Sequence, residues 1–257
     1  MKILALDFDG VIADSMHECL FVGFNAYLKL NKDTKLFDGK KFTFSNFKEK
    51  FSKDKAIVDK YKVLRPFVID AFCYHVLLHM IENNIHVKNQ QEYNALREKF
   101  MNLYDEYSKH FYSERYSLQE NYDEYFQLLS PYRFVSFLKS SKEKFSINIS
   151  TNNSRKSVEP FLNKCRIKVN ILADKSLGTD KIKQIEFLKE KLKCKYSDIY
   201  FIDDQIRNLV KSSKLGVQCF LAGWGYNNEE QRTKARELKI DILDEDEFEQ
   251  KLTTYKG

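Results

Sequence analysis

Glycine and proline are scarce. Eight Gly and three Pro in 257 residues fall well below ordinary usage, leaving few points where a helix must break. Collagen-like, proline-rich and glycine-rich low-complexity architectures are excluded, and a helix-rich protein is expected. Paired cysteines are also missing. Cys19, Cys73, Cys165, Cys194 and Cys219 make no CxxC spacing and are odd in number. That argues against a disulfide scaffold and for reduced thiols in a cytoplasmic protein. No charged leader or cleavage site separates Met1 from the first apolar run. The most apolar helical stretch, "PFVIDAFCYHVLLHMI" (66–81), is too short for a bilayer and carries Asp70, His75 and His79, so no membrane association is expected.

Apolar residues are plentiful, at 43%, so a sizeable core is expected and disorder is not. Charge is uneven. Residues 29–62 hold eleven Lys against five acids, which is the whole of the chain's net +6. Such a segment can attract nucleic acid or another polyanion. It has no Arg partners and no recognisable binding motif, so a solvated lysine-rich face is the favoured reading and a nucleic-acid partner is not expected. A basic nucleic-acid- or anion-binding protein stays as the alternative from another class.

Beyond residue 140 the pattern alternates. "FSINIS" (145–150), "KVNILA" (168–173), "DIYFID" (198–203) and "VQCFLAG" (217–223) read as buried strands. Between them, "SRKSVEPFLNKC", "TDKIKQIEFLKEKLK" (179–193) and "QIRNLVKSSKLG" read as helices, the last closed by Gly216. This predicts βαβ units, a Rossmann-like parallel sheet with helices on both faces, which the opening strand must join. Residues 16–130 show aromatic-rich helical segments instead, at 16–30, 46–62, 66–83, 89–112 and 119–130. The expected organisation is an α/β core from 1–15 and 131–257, with 16–130 as an all-α insertion.

Ligands of open parallel sheets bind at the carboxyl ends of the strands. In "KILALDFDGVIADS" (2–15) the first strand ends at Asp7 and Asp9. "INIST" ends at Thr151 and Asn152, "IYFIDD" ends at Asp203 and Asp204, and Lys181 opens the helix before that strand. Converging carboxylates need a cation among them. Oxygen ligands at this density suit Mg²⁺, and a Lys with a Thr hydroxyl suits a phosphoryl group. A calcium EF-hand is rejected, because Val11 and Ile12 stand where an acid and Gly belong. Taken alone, "DFDG" can also be a plain strand-ending turn.

Together these residues resemble the haloacid-dehalogenase-like superfamily of phosphotransferases. "DFDGVIAD" matches its first motif, "INISTN" its second at Thr151, Lys181 its third, and "FIDD" its fourth. "LAGWGY" (221–226) is similar to the strand end that follows. Lys183 is a rival for Lys181, and Ser150 for Thr151. Many relatives carry Gly-Asp with a further acid four residues later, where this chain has Asp203 and Asn208. The resemblance implies a Mg²⁺-dependent phosphatase acting on a small phosphorylated metabolite through an aspartyl-phosphate. Asp7 is the implied nucleophile and Asp9 the acid and base, with Thr151, Asn152 and Lys181 on the phosphoryl group. The implied metal set is Asp7, Asp9, Asp204 and Asp203. The insertion falls where the family places its cap.

A phosphomutase uses the same motifs and is the rival enzyme reading. Asp9 speaks against family dehalogenases, which lack an acid two residues after the nucleophile. Asp14 is open between orienting the site and a cap or hinge role. His75 and His79, at i and i+4, are read as satisfied core histidines rather than zinc ligands. Arg65 is a candidate substrate anchor, since Arg suits phosphate or carboxylate.

Overall fold

The computed structural model describes residues 2–254. Two compact units form: residues up to Asp14 together with those from Ser130 onward, and Ser15–Leu129. The first is built on a six-stranded parallel sheet. Its strands are β1 (Lys2–Leu6), β4 (Phe145–Ser150), β5 (Ile171–Ala173), β6 (Ile199–Asp203), β7 (Gln218–Ala222) and β8 (Asp241–Leu243). They lie in the order β5-β4-β1-β6-β7-β8, while β2 (Ala13–Asp14) and β3 (Ser130–Pro131) make a separate antiparallel pair. After β5 the chain returns to the far side of β1, so β1 stands at the switch point where such sheets hold ligands.

In the second unit, α1 (Met16–Leu30) packs against α4 (Cys73–Glu82) and α6 (Tyr104–Leu118). Its other helices are α2 (Phe44–Lys53), α3 (Lys55–Leu64), α5 (Gln90–Glu98) and α7 (Tyr122–Gln127). Three expected helices are shorter than their apolar periodicity suggested. The 46–62 helix breaks at Asp54, which ends α2 and caps α3. The 66–83 helix becomes a 3₁₀ turn at Arg65–Phe67, then extended backbone at Val68, and α4 begins only at Cys73. Pro66 opens that turn, where its missing N–H costs nothing. The 89–112 helix divides into α5, a 3₁₀ turn and α6.

Aromatic packing fills this unit, with Phe24, Phe37, Phe42 and Phe47 in one cluster and Tyr74 stacked on Phe111. One buried charge pair is closely matched: Arg115 forks onto both oxygens of Glu18, at 2.7 and 2.8 Å. Four lysines of the lysine-rich segment share two acids. Lys29 and Lys41 meet Glu114, and Lys50 and Lys53 meet Asp38. His75 lies among Tyr27, Phe72, Phe100 and Tyr107, and burial pushes it down to about 4; it is a neutral buried histidine, but its Nδ1 has no hydrogen-bond partner among the described residues, so it is not the satisfied one expected.

The core helices are α8 (Phe134–Ser140), α9 (Arg155–Lys164), α10 (Lys181–Leu192), α11 (Ile206–Ser213), α12 (Glu229–Glu237) and α13 (Phe248–Thr254). Register shows that both faces of the sheet are covered. Ile3 and Ala5 bury with Ile185 and Leu188 of α10 and Leu209 of α11. Lys2 pairs with Phe145, so Phe145 points to the opposite face, where it meets Phe137 of α8, itself packed on Phe248 of α13. No helix among the described residues is long and apolar enough to cross a membrane.

Candidate active site

The ladder continues one step past β1, with Asp7 N donating to Ile202 O at 2.9 Å. The chain then turns sharply, and Phe8 O accepts from both Ile12 N and Ala13 N. Gly10 sits at φ +76, and a Cβ there would lie 2.2 Å from Asp204 Oδ2. Gly225 is packed as closely: its Cβ would meet Gly10 O at 2.3 Å and Asp204 Cβ at 2.4 Å. These two glycines allow three loops to converge on one carboxylate.

Lys181 is the first residue of α10, behind the N-cap Asp180, and is 2% exposed. Its ammonium donates to Asp7 Oδ1 at 2.9 Å and to Ser150 O, and stands 3.7 Å from Asp203 Oδ2. Lys183 is exposed, which leaves Lys181 as the lysine at the strand ends. Asp203 is fully buried and accepts from Gln205 N at 2.8 Å and from Asn208 Nδ2 at both oxygens. Tyr226 N donates to Asp204 Oδ2 at 2.8 Å, and Tyr226 OH donates to Asp14 Oδ1 at 2.6 Å.

At the end of β4, Thr151 N donates to Ala173 O and Thr151 Oγ1 accepts from Asn153 N. Ser150, the rival for Thr151, spends its hydroxyl on Gln184. Asn152 Oδ1 accepts from Gln184 Nε2 at 3.3 Å. Asn153 Nδ2 donates to Asp9 Oδ2 at 2.6 Å. Arg65 is not among the groups the core assembles; it is buried in the helical unit, its guanidinium 5.4 Å from the centre of the Tyr74 ring. Asn153, Gln184 and Tyr226 were not singled out as site residues. Gln184 carries a signal as a polar residue three positions after Lys181 on the same helix face, and Tyr226 closes the "LAGWGY" stretch.

Asp7, Asp203 and Asp204 bring oxygens within 4.8 Å of one another, and Asp9 is outside this group. Burial is the main cause that pushes Asp7 up to about 7; Lys181 pulls it back, and Asp203 and Asp9 add repulsion. Burial likewise lifts Asp203 to about 6, with Asp204 beside it. One ammonium, at Asp7 and Asp203, stands against three clustered carboxylates, two buried and one partly buried, so the set is short of positive charge. An all-oxygen donor set with that deficit fits a hard divalent cation.

No protein-family model matches the chain, and no curated protein matches it. Solved structures do. The chain is similar to a structure described as a predicted phosphoglycolate phosphatase from Haemophilus somnus, with TM-score 0.62, 14% identity and coverage of 99% of this chain and 98% of that one. A predicted phosphatase from Clostridium acetobutylicum matches with TM-score 0.60, 14% identity and 99% of each chain covered. A haloacid-dehalogenase-like hydrolase from Streptococcus pneumoniae matches with TM-score 0.60, 10% identity and 98% of each chain covered. The fold is therefore that of the haloacid-dehalogenase-like hydrolases, an α/β core with a helical insertion after the first strand.

Proposed function

We propose that the protein is a Mg²⁺-dependent phosphomonoester hydrolase that forms an aspartyl-phosphate on Asp7 and acts on a small phosphorylated metabolite. The observation that carries this reading is Lys181 Nζ at 2.9 Å from Asp7 Oδ1, at the edge of the three-carboxylate group. A buried nucleophile beside a fixed cation suits attack on an anionic phosphorus centre. The names of the similar structures, two of them phosphatases, support the same class.

Asp7 Oδ1 is occupied by Phe8 N and Lys181, which leaves Oδ2 to attack phosphorus. As the Oδ2–P bond forms, the ester P–O bond breaks and the leaving oxygen takes a proton from Asp9. Asn153 holds Asp9 Oδ2, so Oδ1 is the oxygen that delivers the proton. Water then attacks the phosphoenzyme, gives its proton to Asp9, and Asp7 is released with inorganic phosphate. Lys181, Thr151 and Asn152 supply donors to the phosphoryl oxygens. Asp7, Asp204 and Asp203 are the residues that would hold Mg²⁺, which supplies positive charge against the transferring group. A cytoplasmic location fits five cysteines of which none forms a disulfide.

The test is phosphate release by pure protein from a panel of phosphorylated metabolites with Mg²⁺, run beside Asp7→Asn. Turnover on some of these esters, falling below about a hundredth in the variant, is expected because an amide is a poor nucleophile. Release no faster than the variant's on every ester overturns the proposal.

A further inference from the structure

We infer that Gln184 is a positioning residue that sets the phosphate-binding end of β4, an inference that rests on the phosphatase reading above. Gln184 is fully buried on α10, one turn beyond Lys181. Its Nε2 donates to Thr151 O at 3.0 Å and Gly178 O at 2.9 Å. Two carbonyls at one end of the amide fix that end as the NH₂ group. Oε1 then faces Ser150 Oγ, which must donate, at 2.8 Å.

The consequence is a grip on two successive residues from one helix face. Lys181 takes the Ser150 carbonyl, while Gln184 takes the Ser150 hydroxyl and the Thr151 carbonyl. Thr151 N is already committed to Ala173 O. Both backbone groups of Thr151 are therefore held. Its Oγ1 accepts from Asn153 N, so the hydroxyl proton is what Thr151 has left to give a ligand.

The third effect concerns Asn152. Gln184 Nε2, its two N–H groups already aimed at Thr151 O and Gly178 O, shares a longer contact of 3.3 Å with Asn152 Oδ1, which turns the acceptor end of that amide toward the protein. The two N–H donors of Asn152 are left for an anion. Nothing in this arrangement places Gln184 on the phosphoryl group. It acts through Thr151 and Asn152, and through Gly178 it ties down the loop that leads into Lys181.

The experiment is a double-mutant cycle on nitrophenyl phosphate hydrolysis with Mg²⁺, with circular dichroism and thermal unfolding of each variant. Gln184→Met keeps the side-chain length but removes every hydrogen bond, and should lower kcat/KM about 10–100-fold. In an Asn152→Ala background the same change should cost at least about threefold less than in wild type, because one of the groups it orients is gone while its hold on Thr151 and Gly178 remains. Equal factors in both backgrounds are what a purely structural role gives, and would overturn the inference. Gln184→Asn, which retreats by one methylene, is the second variant and should show the same loss of coupling. If neither variant folds, Gln184 is a structural residue and the inference fails. A folded Gln184→Met within about threefold of wild type removes Gln184 while leaving the phosphatase reading intact. A wild type without turnover on this ester or on the metabolite panel removes both.

Discussion

The buried carboxylates make the metal-free protein's stability depend on pH in a direction opposite to that of most acids. Asp7 has its folded value raised from 3.8 to about 7. The folded state therefore holds the proton more tightly than the unfolded chain, and Asp7's contribution is complete below about 3.8 and lost as pH rises through 7. In full, that difference corresponds to roughly 4 kcal/mol, of which somewhat over half falls between pH 5 and 8. The side chain keeps 14% exposure, so solvent should reduce the change over that window to about 1–2 kcal/mol. For a protein of this size that is about 3–6 °C in Tm. His75, held down to about 4, drives an opposite slope between there and 6.5, so the useful quantity is wild type minus Asp7→Asn. In chelator, the Tm difference between variant and wild type should widen in the variant's favour from pH 5 to pH 8. Adding Mg²⁺ at pH 8 should raise wild type more than the variant. A difference that stays constant across pH, or that moves against the variant, would refute the crowding of acids on which the metal assignment rests.

Asp204→Asn should raise the Mg²⁺ concentration needed for half-maximal activity, and Ca²⁺ should substitute poorly in wild type because its coordination is larger and looser; activity that persists in chelator would contradict this. Asp9→Asn should slow hydrolysis of alkyl phosphates by about 10²–10⁴-fold while sparing the first step with nitrophenyl phosphate. That variant should show a burst of nitrophenolate and phosphate mass on the peptide carrying Asp7, and equal losses on both esters would exclude the acid–base role. Gly225→Ala should cost about 1–3 kcal/mol and weaken Mg²⁺ binding in calorimetry, because the new Cβ would fall 2.3 Å from Gly10 O and 2.4 Å from Asp204 Cβ.

Much of the core was legible because its signals are local. The fully apolar run "ILAL" (3–6) marks a strand buried on both faces, and polar residues at the strand ends mark the ligand edge. β8 was missed because three residues carry no periodicity, and α12 because its mean character is polar with only Gln231 and Ala235 buried. On α10 the apolar residues Ile182, Ile185, Leu188 and Leu192 stand at helical spacing, yet the buried residues are Lys181, Gln184, Ile185 and Leu188. Two polar side chains occupy the inward face because strand-end carbonyls and carboxylates wait there for donors, which a hydropathy pattern does not register. The contact Tyr226 makes with Asp204 is hidden for a similar reason. Its backbone N–H, rather than its ring, meets Asp204, and any residue other than proline carries that donor.

The place of β1 in the sheet bears on how the chain comes off the ribosome. β1 lies between β4 and β6 and has no other neighbour in the sheet. At ordinary synthesis speeds of about 5–20 residues per second, roughly 7–30 seconds separate the emergence of Leu6 from that of Phe145, the start of its first partner. Through that interval Ile3–Leu6 are an unpaired apolar segment, while the Ser15–Leu129 helices are made and can pack among themselves. Chaperones that recognise short exposed apolar strands should therefore engage the nascent chain at Ile3–Leu6, and release it only after β6 has been made.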